Sequence, residues 1–269
     1  MNTNRFTRLG AVLAILLALP ACKKTGATKT DKPADETAAA ESTAAAATPA
    51  ASAVAQPITL KEGAKNVGIL IFDDLFITEF VAPFDVYKHV SSKMNVFLVG
   101  QTMDPITSYE GIVIHPHFSF ANAPHIDVLV VPSGNQSTKG DLKKQEFIDY
   151  VKKTAAEADY VTSHCWGAFT LAEAGVLDGK QATTFPTSTK DMANSYSQVK
   201  VVEDKRFVED GNIITSNGGV AAFEAALAVV EKLYGKEEAD KVAAGLVFAP
   251  QNLTYARDPI KTAANETKR

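Results

Sequence analysis

The sequence predicts an α/β fold in which a mostly parallel sheet carries helices on both faces. Two observations support this prediction. Short segments such as 66–72 and 127–131 are apolar at almost every position, which is typical of strands covered on both faces. Longer segments with the spacing of amphipathic helices lie between them, and strands that alternate with helices over such a length form parallel sheets.

The sequence of the first half of the domain predicts three strands, one helix and a short hairpin. The strands lie at 66–72, 95–99 and 127–131, and the hairpin lies at 106–114. The side chain of Thr78 is expected to cap the first helix, with Glu79 in its first turn, where a carboxylate complements the helix dipole. The third strand ends in a turn cluster that contains Gly134.

A single cysteine stands where the fourth strand meets a helix. The strand is predicted at 160–163, and the helix runs over 166–174 and ends at Gly175. Cys165 would then project near the positive end of the helix, which lowers a thiol pKa, and Gly167 permits the tight turn of a nucleophile elbow. A buried structural cysteine fits the same spacing, because free cysteines are often buried.

The second half predicts a helix at 147–158 and short strands at 199–215. It then predicts a helix at 220–234 and a last amphipathic helix at 236–248. Gly218 and Gly219 open the helix at 220–234. We interpret them as permitting close helix packing and not as binding phosphate, since no phosphate-loop spacing follows.

Three candidate functional residues follow predicted strands. Glu79 comes after the first strand, Gly134 after the third and Cys165 after the fourth. Because ligands of open parallel sheets bind at the carboxyl ends of the strands, these residues are expected to converge there.

Composition excludes several function classes. The net charge of −4 and the absence of a basic run in the domain argue against a nucleic-acid surface. The two cysteines, Cys22 and Cys165, exclude a disulfide framework. His115 and His117 flank a proline without a third ligand at a recognisable spacing, so the sequence predicts no metal site, and it predicts no cofactor.

The amino terminus is predicted to be a lipoprotein signal peptide over 1–21. An apolar run at 11–19 is too short to span a bilayer, and it leads into Leu19-Pro20-Ala21-Cys22. That segment resembles a bacterial lipobox, which implies cleavage before Cys22 and acylation of its thiol. An ordinary signal peptide is the alternative. Lys23 favours, by the same resemblance, the periplasmic face of the outer membrane.

Three further boundaries complete the predicted organisation of the chain. Residues 22–57 are rich in small and polar side chains and would form a disordered tether, because they bury too little apolar surface to offset their ordering entropy. The folded domain is predicted at 58–258. A frayed polar tail is expected at 259–269.

Segments 127–134, 160–184 and 208–227 resemble the ThiJ/PfpI family of the class I glutamine amidotransferase-like superfamily. They are most similar to the isonitrile hydratase branch and to the ligand-sensing half of related transcription regulators. The resemblance implies a flavodoxin-like three-layer α/β sandwich, a small-molecule substrate and a homodimer.

Carried over residue by residue, the resemblance implies a Cys-Glu site. Cys165 matches the family nucleophile, and Glu79 matches the acidic residue that pairs with it. Gly134 and Trp166 match the positions whose backbone N–H groups form an oxyanion hole. In isonitrile hydration the thiolate would attack the isonitrile carbon and a protonated Glu79 would supply the proton, its pKa raised by the neighbouring thiolate.

Two departures from the family pattern bear on the chemistry. Trp166 stands where many hydrolytic members have a histidine, and Phe185 replaces a second one. His164 precedes the cysteine and is expected to point away from it, so a Cys-His hydrolase, including one acting on aldehydes, lacks an obvious base. A non-catalytic lipoprotein that binds a small ligand, or senses oxidants through Cys165, is therefore the alternative.

Overall fold

A computed structural model describes residues 58–90, 92–135 and 144–247. The predicted signal peptide 1–21, the acylated Cys22, the tether 22–57 and the tail 259–269 lie outside the described residues. So does position 258, the predicted end of the domain, and these predictions therefore stay predictions.

The described residues alternate strands and helices, as the sequence predicts. The strands are β1 (Lys65–Leu70), β2 (Met94–Gly100), β3 (Ile106–Thr107), β4 (Val113–Ile114), β5 (Phe118–Ser119), β6 (Val128–Val131), β7 (Tyr160–His164), β8 (Gln181–Ala182), β9 (Lys200–Val201), β10 (Phe207–Asp210) and β11 (Ile213–Ser216). The helices are α1 (Ile77–Lys88), α2 (Gln145–Glu157), α3 (Gly167–Glu173), α4 (Thr189–Ser195), α5 (Val220–Tyr234) and α6 (Lys236–Gly245), with a 3-10 turn at Pro186–Ser188.

Seven strands form the central sheet in the order β10-β11-β7-β6-β1-β2-β5. Every neighbouring pair is parallel except β10 with β11, which form an antiparallel hairpin. The interior strands β2 and β6 are buried along their whole length, as strands covered on both faces must be. The prediction of a mostly parallel, flavodoxin-like sheet is confirmed.

The helices pack in two groups. Helix α1 packs against α5, which also contacts α6, while α2 packs against α3. Helix α1 touches β1 and β2, α3 touches β6 and β7, and α5 touches β7 and β11. The contact between α1 and α5 brings the start of α1 towards the end of β11, which decides the position of Glu79.

The prediction that Thr78 caps the first helix is wrong. Helix α1 begins at Ile77, so Thr78 lies inside it and is exposed, and no side chain of the N-cap residue Phe76 closes the helix end. The backbone N–H of Ile77 instead donates to the carboxylate of Glu110, at 3.2 Å. That acceptor comes from the β3–β4 hairpin, so the cap is a long-range contact.

The hairpin and the last helices agree well with the sequence. Strands β3 and β4 pair antiparallel around Gly111, as predicted for 106–114. Helix α5 spans the predicted 220–234, and α6 ends at Gly245, three residues before the predicted end, which lies outside the described residues. Within the described ranges, no helix has both the length and the apolar character needed to span a membrane.

Candidate active site around Cys165

Cys165 occupies a sharp turn between β7 and α3. Its backbone has a φ of +53°, a left-handed conformation that L-residues with a side chain seldom adopt. Such a conformation costs about 1–3 kcal/mol and persists where the surrounding structure holds it in place. The strained turn matches the predicted nucleophile elbow in shape, and the side chain is 6% exposed.

Gly167 makes the turn possible. A side-chain carbon at this position would collide with the carbonyl oxygens of Val131 and Pro132. Helix α3 therefore starts directly against the end of β6, which agrees with the sequence interpretation of Gly167.

Glu79 lies beside Cys165, across the turn that precedes α5. A carbon added at Gly218 would lie 2.5 Å from Cβ of Cys165 and 2.7 Å from each carboxyl oxygen of Glu79. Both side chains therefore lie against Gly218, in space that a side chain at this position would occupy. The backbone N–H of Gly219 donates to Oε1 of Glu79 at 2.9 Å, and Oε2 has no hydrogen-bond partner among the described residues.

The end of β11 positions both side chains. The N–H of Cys165 donates to the carbonyl of Ser216 at 2.9 Å. The hydroxyl of Ser216 lies 2.9 Å from Nδ1 of His164 and accepts from the N–H of Gly218 at 3.3 Å. One short segment, 216–219, therefore fixes the elbow on one side and the Glu79 carboxyl on the other.

The pKa of the Cys165 thiol differs from the sequence expectation. Burial, and then the charge of Glu79, raise this pKa to about 12, whereas the helix-start argument predicts a lowered pKa. The hydroxyl of Ser133 and the N–H of Trp166 act in the opposite direction. The pKa is raised on balance, so burial and the charge of Glu79 outweigh these two hydrogen bonds.

The pKa of Glu79 is raised to about 7. The cause is burial, against which the hydrogen bond from Gly219 acts, so the direction agrees with the expectation while the cause is not a neighbouring thiolate. Near neutral pH the carboxyl group of Glu79 therefore exchanges its proton readily, while the thiol of Cys165 stays protonated.

The two predicted oxyanion donors, Trp166 and Gly134, have different surroundings. The backbone N–H of Trp166 hydrogen-bonds the Cys165 thiol, and this bond acts to lower the thiol pKa. Gly134 forms an isolated antiparallel bridge with Leu75, and a side-chain carbon on Gly134 would lie 2.5 Å from the carbonyl of Asp74. The close packing explains why this position is a glycine, and its role as an oxyanion donor stays a prediction.

The histidine next to the cysteine does not serve as its base. His164 is fully buried, its ring binds the Ser216 hydroxyl, and burial lowers its pKa to about 3. Its Nδ1 therefore faces Ser216. Phe185, at the other expected histidine position, is 39% exposed and carries no proton to transfer.

Trp166 belongs to a row of aromatic rings beside the elbow. Its indole N–H donates to Oγ of Ser188 at 2.8 Å, which fixes the ring. The ring lies 6.1 Å from Phe76 and 6.0 Å from Phe185, and Phe76 lies 5.1 Å from Tyr109, all between centroids. This row places apolar surface next to the reactive pair.

Among the residues that the structure describes, no three His, Cys, Asp or Glu side chains are grouped as metal ligands. His117 instead accepts a hydrogen bond at Nδ1 from the N–H of Leu98, at 2.9 Å, so this ring has a structural partner.

Four residues of the site were not singled out by the sequence interpretation as site residues. Ser133, Ser216, Gly218 and Gly219 all touch Cys165, Glu79 or both. A Ser-Gly pair after an apolar strand and a Gly-Gly pair before a helix were visible as turn signals. Nothing in their spacing shows that both turns meet the cysteine.

Comparison with known proteins identifies the class. Residues 65–232 match the model of the DJ-1/PfpI family. Isonitrile hydratase from Pseudomonas putida is 34% identical over 188 residues, which cover 70% of this chain and 80% of that protein. The dj-1beta protein of Drosophila melanogaster is 31% identical over 173 residues, 64% of this chain and 90% of the relative.

Solved structures agree. A ThiJ/PfpI family protein from Pseudomonas syringae superposes with a TM-score of 0.65 at 26% identity, covering 70% of this chain and 76% of that one. Drosophila DJ-1beta gives a TM-score of 0.62 at 28% identity, with 69% and 99% covered. The chain belongs to the DJ-1/PfpI family.

Proposed function

We propose that this protein hydrates small isonitrile-type electrophiles, with Cys165 as the nucleophile and Glu79 as the proton carrier. The observation that carries the proposal is the pairing of both side chains around Gly218. A carboxyl group whose pKa is about 7 can accept and return a proton at neutral pH, which suits a general acid-base. The identity to an isonitrile hydratase supports this choice of substrate.

The first step forms a bond between sulfur and carbon. The thiol proton of Cys165 passes to the Glu79 carboxylate while the sulfur attacks the isonitrile carbon. The carboxylic acid then returns the proton to that carbon, which gives a thioimidate, S–CH=N–R. Before the attack the thiol and the carboxylate share one proton, so a thiolate beside a carboxylic acid and a thiol beside a carboxylate are tautomers of one reactive state.

The second step consumes water. Its oxygen bonds to the thioimidate carbon and one of its protons reaches the nitrogen. Breaking the C–S bond then releases an N-substituted formamide, and the remaining hydroxyl proton returns to the sulfur. The backbone N–H groups of Trp166 and Gly134 are proposed to stabilise negative charge that develops during these steps.

The protonation states predict how activity depends on pH. The reactive pair holds one proton, and it forms when Glu79 ionises at a pKa of about 7 while Cys165 keeps its proton up to a pKa of about 12. We therefore expect kcat/KM to rise through pH 7 and then stay level. A rate that falls between pH 6 and pH 8 would contradict the one-proton scheme.

The direct test measures formamide production from an alkyl isonitrile by the purified full-length chain. Cys165→Ala should abolish turnover, and Glu79→Gln should lower kcat by about 10²–10⁴-fold, because proton transfer is lost. Glu203→Gln, which neutralises an exposed carboxylate, is the control and should keep wild-type activity. Absence of turnover by the wild-type protein would sink the substrate assignment.

A second candidate is a protein that binds a ligand or senses oxidants without turnover. The observation that favours it is the missing base, because Trp166 and Phe185 occupy the expected histidine positions and His164 is turned towards Ser216. Under this hypothesis mild peroxide oxidises Cys165, which intact-mass spectrometry detects. An unmodified Cys165 after such treatment would count against oxidant sensing.

We also propose that the chain is anchored in the cell envelope. The lipobox-like segment Leu19–Cys22 supports attachment through an acylated Cys22, and Lys23 supports the periplasmic face of the outer membrane. A flexible tether at 22–57 would leave the domain free of the lipid surface.

The domain is further proposed to form a homodimer. The resemblance to dimeric relatives suggests this state, and the β3–β4 hairpin offers a contact surface. Tyr109, Ile112 and Val113 are each more than half exposed there, and apolar side chains clustered on a surface mark interaction sites. Sedimentation at several concentrations would test the dimer, and a purely monomeric species would exclude it.

A further inference from the structure

We propose that Thr184 is a positioning residue that sets the reactivity of Cys165 by holding the peptide group between Cys165 and Trp166. This inference rests on the proposed role of Cys165 as nucleophile and adds a residue to that site. Thr184 lies on neither β7 nor α3, and the sequence interpretation assigns it no role.

The first observation is a hydrogen bond to the strained turn. Oγ1 of Thr184 donates to the carbonyl of Cys165 at 2.8 Å, and Thr184 is fully buried. The N–H of Cys165 is held separately by the carbonyl of Ser216. Both backbone polar groups of the strained residue are therefore bound, each by a different segment of the chain.

The second observation is that Thr184 is itself anchored. Nδ2 of Asn217 donates to the carbonyl of Thr184 at 2.6 Å and reaches Oγ1 of Thr183 at 3.2 Å. The N–H of Thr183 donates to Oγ1 of Thr215 at 2.8 Å. These hydrogen bonds tie the segment 183–184 to the end of β11, the same element that binds the N–H of Cys165.

The third observation connects this anchor to the thiol. The carbonyl that Thr184 binds and the N–H of Trp166 belong to the same planar peptide group. That N–H points at the sulfur of Cys165 and lowers the thiol pKa. Any rotation of the peptide plane moves both groups together, so the Thr184 hydroxyl fixes the direction in which the Trp166 N–H points.

Loss of the hydroxyl should therefore have two effects. The buried carbonyl of Cys165 loses its partner, and a strained conformation persists only when its surroundings hold it. The peptide group then turns, the Trp166 N–H leaves the sulfur, and the thiolate loses a hydrogen bond that favours it. A purely structural role would change stability and leave the pH dependence of thiol reactivity unmoved.

The experiment measures alkylation of Cys165 by iodoacetamide in the full-length chain, from pH 6 to pH 10, by mass spectrometry of the peptide that contains it. Thr184→Val keeps the shape and removes the hydroxyl. We expect its alkylation to be about tenfold slower at fixed pH, with the pH profile displaced upwards. Thr184→Ser restores the hydroxyl and should recover the wild-type profile.

Thr170→Val is the matched control. Thr170 lies in α3, is 2% exposed, and its hydroxyl has no hydrogen-bond partner among the described residues, so the change removes no bond. It should leave alkylation unchanged. A Thr184→Val variant with the wild-type pH profile would overturn the proposal, and so would a Thr170→Val variant with the same displacement as Thr184→Val.

A second variant covers the case in which Thr184→Val does not fold. Asn217→Leu removes the anchor without touching the Thr184 hydroxyl, and it should displace the profile in the same direction by a smaller amount. An unchanged profile there overturns the proposal. Alkylation does not require isonitrile turnover, so slowed alkylation in an enzyme inactive on isonitriles would reject the proposed function and keep this inference.

Discussion

Cys165 faces two opposing physical demands. A nucleophilic sulfur benefits from losing its proton, while a buried position beside a carboxyl group disfavours the thiolate. The structure meets these demands with Glu79, whose own pKa of about 7 makes it the group that exchanges protons at neutral pH. Reactivity in this site therefore depends on moving one proton between two side chains and not on a permanently charged thiol.

Glu79 should make the stability of the protein depend on pH. Its pKa rises from 4.5 to about 7 on folding, so the folded state favours the protonated form. Its contribution is fully present below pH 4.5 and is lost as the pH rises through 7. We expect the free energy of unfolding to fall by up to about 3 kcal/mol from this group between pH 5 and pH 8.

Urea unfolding of the wild type and Glu79→Gln at pH 5, 6, 7 and 8 checks this expectation. The amide of the variant cannot ionise, so its unfolding free energy should vary less across the same range. Equal pH dependence in both proteins would mean that Glu79 ionises in the folded state as easily as in water.

At the residue scale, the sequence predicts the two central side chains but not the contacts that hold them. Cys165 and Glu79 were predicted because each has a local pattern that resembles a family motif. The contacts that hold them were not, since Gly219 lies 140 positions from Glu79 and Thr184 lies 19 positions from Cys165. Spacing along the chain carries no information about hydrogen bonds that only the sheet brings together.

The turn between β11 and α5 shows the same limit at the scale of elements. Its two glycines were predicted to permit close packing. The missing side chain of Gly218 leaves room for the side chains of Cys165 and Glu79. Gly219 has a different role, because its N–H binds the carboxyl group.

Alanine substitutions separate the two glycines. Both have a positive φ, +84° and +56°, so alanine is strained at either position. Only at Gly218 would the added carbon also clash with the reactive pair, while nothing lies within 4 Å at Gly219. We expect Gly218→Ala to lower the unfolding free energy more than Gly219→Ala and to displace the thiol.

Thermal unfolding and iodoacetamide alkylation of both variants measure this difference. Gly219→Ala acts as the matched control for backbone strain, because it shares the turn and the positive φ. Equal losses of stability in the two variants would show that steric contact with Cys165 and Glu79 has no effect beyond that strain.

Element boundaries were predicted well where the signal was local. Helix α5 ends at Tyr234, directly before Gly235, whose φ is +86°, and such a glycine is a local stop signal. The start of α1 is predicted less well, because its cap is the carboxylate of Glu110 and not the hydroxyl of the neighbouring Thr78. A distant acceptor replaced the expected local one.

At the scale of the whole molecule, the order of the sheet determines the site. Strands β11, β7, β6 and β1 are consecutive neighbours in the sheet, and all four are parallel. Their carboxyl ends therefore meet at one edge, where Glu79, Ser133, Cys165 and Gly218 follow them. Of the three residues predicted to converge there, Glu79 and Cys165 lie side by side around Gly218, and Gly134 follows β6 at the same edge.

The proposed anchor is testable on whole cells. Cys22→Ser removes the thiol that would carry the lipid, so the protein should move from the membrane fraction to the soluble fraction on cell fractionation. Cys165→Ser, which changes the other cysteine, should stay with the membranes. If both variants fractionate like the wild type in the soluble fraction, the lipid anchor is excluded.

Trp166 gives the site an optical property. It is the only tryptophan in the sequence and directly follows Cys165. Its indole N–H is held by a hydrogen bond to Ser188. All tryptophan fluorescence of the protein therefore originates beside Cys165. Occupancy of the site, alkylation of the sulfur or its oxidation should each change the emission, so these events can be followed in the unlabelled protein in real time.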